Sequence, residues 1–120
     1  MKSGWLLPLC VIGLALLSGC VGRHDAPPIF APQLETEHDQ DFLGISVQFS
    51  NALKRQFPVG SSDGALRSIL ESQGFEFLSS TSAVYLWRDF ACERKVSITW
   101  VADDYQRITR VEGSYYGSCI

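Results

Sequence analysis

Sulfur is the most reactive material in this chain of 120 residues, which carries four cysteines: Cys10, Cys20, Cys92 and Cys119. Cys92 and Cys119 have no CxxC spacing, so a thioredoxin-type redox motif is not written here. The histidines, His24 and His38, fall in a proline-bearing stretch ahead of the part expected to fold. A metal site or a general base needs a rigid scaffold, and that stretch offers none. The part expected to fold therefore lacks a Ser/His/Asp arrangement, a zinc ligand set and a glycine-rich phosphate loop. Asp103-Asp104 is a carboxylate pair, but Tyr105-Gln106 beside it and the strands expected on either side make it a turn former. The expectation is a protein that is not an enzyme, with no metal and no small-molecule cofactor.

The chemistry open to each cysteine depends on the first twenty residues. Lys2 precedes an apolar run over residues 5–17. About thirteen residues is too short to span a bilayer, which needs roughly twenty. It has the length of a signal-peptide core. Leu17-Ser18-Gly19-Cys20 closes it and resembles the bacterial lipobox, in which cleavage precedes the cysteine. The resemblance implies a signal peptide over 1–19, a diacylglyceryl thioether on Cys20 and a further acyl chain on its new N-terminus. One acyl chain binds a membrane only marginally, whereas two or three anchor it stably. Val21 stands where an aspartate would mark retention in the inner membrane, so the expected address is the periplasmic face of the outer membrane. Cys10 leaves with the leader, and Cys92 and Cys119 remain in an oxidising compartment, where they are expected to pair. Closing a loop of roughly 28 residues stabilises the folded state by about 3–4 kcal/mol on the chain-entropy model. A redox pair or a nucleophilic thiol is the alternative reading.

Ten Lys and Arg stand against thirteen Asp and Glu, and loss of Lys2 makes the balance more acidic still. Nucleic acid selects basic surfaces, so it is not an expected partner. Residues 20–40 carry Pro27, Pro28 and Pro32 among scattered charges and are expected to form a disordered tether. One small domain is expected over 41–120. Phe42, Ile45, Phe49, Leu53 and Phe57 make a helical stripe, although Leu43, Ile45, Val47 and Phe49 also alternate as a strand would. The polar second half of the segment favours a helix over 41–56, ended by Pro58. Ser61-Ser62-Asp63 starts a second helix with Ala65, Leu66, Ile69 and Leu70 on its apolar face. Gly74 supplies its left-handed stop, and Phe75 folds back on Leu70. The pattern then changes to period two, predicting strands at 75–78, 83–92, 95–102 and 107–115. Short links make neighbours antiparallel. Val96, Ile98 and Trp100 share one face, which predicts a sheet covered on one side. The expected fold class is α+β, two N-terminal helices packed on one face of a three- to four-stranded antiparallel sheet.

Tyr85 and Trp87 share one face of the second predicted strand, and Val84 and Leu86 the other. If Val84 and Leu86 face the helices, Tyr85 and Trp87 lie on the open face near Tyr115 or Tyr116, as candidate protein-binding anchors. The competing reading buries both faces of that strand. The lipobox, the linker, Phe57-Pro58-Val59-Gly60-Ser61-Ser62 opening a short helix, Gly74-Phe75 closing it and the small sheet together resemble the SmpA/OmlA (BamE-like) envelope lipoproteins, over about residues 57–119. That fold in turn is similar to the repeat unit of β-lactamase inhibitor protein. The resemblance implies a lipid-anchored, protein-binding accessory of envelope assembly or maintenance, with an envelope protein as partner. An inhibitor or immunity protein for a periplasmic enzyme is the alternative. The Cys92–Cys119 pair and the aromatic strands depart from the BamE-like pattern.

Overall fold

The computed structural model describes residues 25–39, 41–89 and 91–119. The leader and Cys20 lie outside them. The elements run in the order 3-10 helix Ala31–Asp39, α1 (Phe42–Gln56), α2 (Asp63–Ser72), β1 (Glu76–Ser79), β2 (Ser82–Asp89), β3 (Cys92–Ala102) and β4 (Ile108–Cys119). Among the described residues the fold is α+β, with two α-helices and a four-stranded antiparallel sheet in the order β1-β2-β3-β4.

The helical reading of 41–56 holds, and Asp41 is its N-cap, with its side chain accepting from the Gly44 N–H at 2.7 Å. Ile45, Phe49 and Leu53 are buried on one stripe of α1, and Lys54 and Arg55 meet the negative end of the helix dipole. Phe57 caps the C-terminus through its N–H to the Leu53 carbonyl (2.7 Å), and Pro58 prevents continuation. In α2, Ser62 caps the N-terminus, accepting from the Ala65 N–H, and Leu66 and Leu70 are buried. Gly74 takes φ +88°, and the Phe75 N–H returns to the Leu70 carbonyl at 3.0 Å. That backbone sign suits glycine.

The strands differ from expectation at their ends. Cys92 opens β3 instead of closing β2, and β4 runs on to Cys119. Cys92 and Cys119 are consequently direct register partners, and they form a disulfide with Cα atoms 3.9 Å apart. Register places Tyr85 beside Val96 and Tyr115 on one face, and Leu86 beside Lys95 and Tyr116 on the other. The first face carries Ala83, Val96, Ile98, Trp100 and Val111, all buried. At the β3–β4 turn, Asp103 Oδ1 accepts from the Tyr105 and Arg107 N–H groups, the turn-forming role expected of it.

The disordered tether is the reading that must be corrected over residues 25–39. This stretch makes a turn at Pro28–Phe30 and then the 3-10 helix, with Pro27 and Phe30 fully buried. The Ile29 N–H donates to Gln73 Oε1 at 2.8 Å, the Tyr85 hydroxyl donates to the Asp25 carbonyl at 3.2 Å, and Gln48 donates to Gln33 at 2.6 Å. A single aromatic side chain supplies the reason: Phe30 belongs to the hydrophobic core. Full burial of a phenylalanine contributes about 1.5–3 kcal/mol, enough to offset the ordering of a short segment that proline already restricts.

Candidate binding surface

Alternation along β2 leaves two apolar sets on opposite faces, and the molecule buries the aromatic one. Tyr85 and Trp87 are 7% and 5% exposed, and Tyr115 is 3% exposed. Their rings form a continuous aromatic wall: Tyr85–Trp87 centroids lie 5.9 Å apart, Trp87–Tyr115 6.2 Å and stacked. Phe30 closes over it, stacked on Tyr115 at 4.8 Å and edge-on to Phe49 at 4.9 Å. The expectation that Tyr85, Trp87 and Tyr115 form an open binding face is therefore wrong. They are core, because Phe30 covers what a four-stranded sheet and α1 leave between them.

Of the four aromatic candidates, Tyr116 alone is exposed, at 57%, and Leu86 matches it at 57%. They flank Lys95 in one row across the outer face of β2, β3 and β4. Leu86, Lys95, Tyr116, Glu93 and Ser118 line a shallow depression of about 160 Å³. Arg88 and Glu93, opposite each other at its border, form an exposed ion pair. Such a pair adds little stability, typically under about 1 kcal/mol, and instead gives the rim its charge pattern.

The apolar surface continues round the β4 edge. Phe42, at the first turn of α1, lies 5.3 Å from Tyr116 and 5.6 Å from Tyr115, and its ring lies over Gly117. Next to Phe42 along α1, exposed Leu43 and, one turn further, Val47 line a groove of about 270 Å³ with Asn51 and Glu112. Leu86, Tyr116, Phe42, Leu43 and Val47 thus make an exposed apolar band on the sheet and α1. Large side chains exposed in sequence on a polar-rimmed surface are the composition of an interaction site. Among the described residues, no group of three or more His, Cys, Asp or Glu side chains is placed to hold a metal ion. Among them, too, no helix is long and apolar enough to cross a membrane.

The sequence sets Phe42 on the apolar stripe of α1 and Leu86 with Val84 on the face offered to the helices, and neither is picked out as exposed, although a signal for Leu86 is present. A two-residue hairpin loop pairs odd-numbered residues of one strand with even-numbered residues of the next. Any such loop puts Tyr85 and Trp87 with Val96, Ile98 and Trp100, and Leu86 with Lys95. Comparison of the chain with protein-family models, curated proteins and solved structures finds no match.

Proposed function

We propose that this chain is a lipoprotein anchored through Cys20 at the periplasmic face of the outer membrane, acting as a non-catalytic protein-binding module. On this reading the two helices cover one face of the sheet, and the other face, with the α1 edge, receives an envelope protein. The observation that carries it is the exposed band of Leu86, Tyr116 and Phe42 beside a fully packed aromatic core. A core that has already buried Tyr85, Trp87 and Tyr115 does not need Leu86 and Tyr116 for stability, so their exposure calls for another account. The lipobox resemblance supplies the anchor. The role that suits both is an accessory of envelope assembly or maintenance, as in the SmpA/OmlA (BamE-like) group.

The test is a photo-crosslinking residue placed in cells at position 86 or 116, with position 87 as the buried control. Specific adducts with one envelope protein from 86 and 116, and none from 87, are the expected outcome. An adduct with a soluble hydrolase would move the function to an inhibitor. Silence at both exposed positions would remove the outer face as an interface.

A further inference from the structure

The docked N-terminal segment changes how far an anchored domain can stand from its membrane. A free tether over residues 20–40 would span about 25 Å as a coil and up to roughly 70 Å extended. Asp25, Ile29 and Phe30 are instead fixed to Tyr85, Gln73 and the aromatic core. Five residue steps join Cys20 to Asp25, and whatever their conformation they reach at most about 17 Å.

Where the segment is fixed decides which surface comes closest. Asp25 and Ile29 are held by Tyr85 and Gln73, at the C-terminal end of α2, where Phe75 and Tyr85 rings pack at 5.4 Å. The other end of α2 is tied to the β3–β4 turn through the Asp63 N–H to the Gln106 carbonyl at 2.9 Å. Ten helical residues, about 15 Å, separate the two ends. We propose that the domain lies against the phospholipid surface, with the Gln73–Glu76 end of α2 towards the lipid and the β3–β4 turn away from it. This rests on the lipid anchor at Cys20 proposed above. Adhesion comes from the acyl chains, and the docked segment limits the distance and favours that orientation.

The experiment uses the full mature protein with its lipid, purified from membranes and placed in nanodiscs of phosphatidylethanolamine and phosphatidylglycerol doped with a gadolinium-chelating lipid. Backbone amide signals report proximity to the headgroups. The expected result is loss of signal at Gln73, Gly74 and Glu76 with retention at Tyr105 and Gln106. Inserting a ten-residue Gly-Ser linker between Val21 and Gly22 leaves residues 25–119 untouched and should restore the lost signals. Cys20→Ser protein should show no signal loss at all. If mass spectrometry finds lipid on Cys20 but the loss is uniform, or unchanged by the linker, the close docking is overturned while the anchored reading stands. If Cys20 carries no lipid and every signal survives, both fail.

Discussion

Phe30 shows how much one side chain can decide. It touches Phe49, Trp87 and Tyr115, residues from α1, β2 and β4, and thereby turns a proline-rich stretch into part of the core. Phe30→Ala leaves a cavity lined by those rings, and the expected cost is about 3–5 kcal/mol in the midpoint-derived stability from urea denaturation. Trp87 fluorescence should shift red in the same variant as water reaches the aromatic wall. A wild-type midpoint would mean that the segment contributes nothing to the core. Nothing in the sequence marks this residue, because one phenylalanine among three prolines and scattered charges has no periodicity to read. Tyr85 and Trp87 failed for another reason. Alternation tells which residues share a face but not which face turns inward, and both faces of β2 offered apolar side chains.

At the level of elements, the informative contact is between α1 and the edge strand β4. Ser50 Oγ accepts from the Gly113 N–H at 2.8 Å and donates to its carbonyl at 2.9 Å. Ser46 Oγ does the same for Tyr115, at 2.9 and 3.4 Å. Four residues of helix rise about 6 Å and two residues of strand about 6.7 Å, so the serines keep step with alternate residues of β4. Helix hydroxyls thus satisfy edge groups that another strand would otherwise find. The approach is close enough that a Cβ on Gly113 would lie 2.4 Å from Phe49 Cδ2, so glycine is required there for space. Ser50→Ala leaves the Gly113 N–H and carbonyl without that partner and should cost about 1–3 kcal/mol in thermal or chemical unfolding. The Ser46→Ala/Ser50→Ala pair should in addition self-associate with rising concentration, which light scattering would detect. A monomeric double variant of unchanged stability would show the hydroxyls to be dispensable. The helices were legible in their caps and apolar stripes: Ser62, Gly74 and the return of Phe75 to Leu70 were all written in α2. The serines were not, since in sequence they belong to the polar side of α1.

For the molecule as a whole, the disulfide joins the open end of the β3–β4 ladder. Its pairing was legible from cysteine count and inferred compartment, but its place was not, because the predicted strands put Cys92 at the end of the second strand and stopped short of Cys119. Replacing Cys92 and Cys119 by serine should lower stability by about 3–4 kcal/mol on the chain-entropy model, read as a drop in Tm. Dithiothreitol should produce the same drop in the wild-type protein and none in the variant. An unchanged Tm would make the bond an ornament of a ladder already closed. The sheet order and antiparallel sense followed directly from short connections, so topology was the most legible feature at this scale.

The edge contacts of β4 also bear on when the chain becomes a folded object. Ser46 and Tyr115 are 69 residues apart, Ser50 and Gly113 63, and Tyr85 and Asp25 60. Pairings so distant along the chain make folding slow, since loop closure comes before any reward from contact. The first half cannot complete its core until β4 arrives, so an emerging chain stays open until that strand has been made. A threading channel that accepts only unfolded polypeptide would find this chain still unfolded when it is presented.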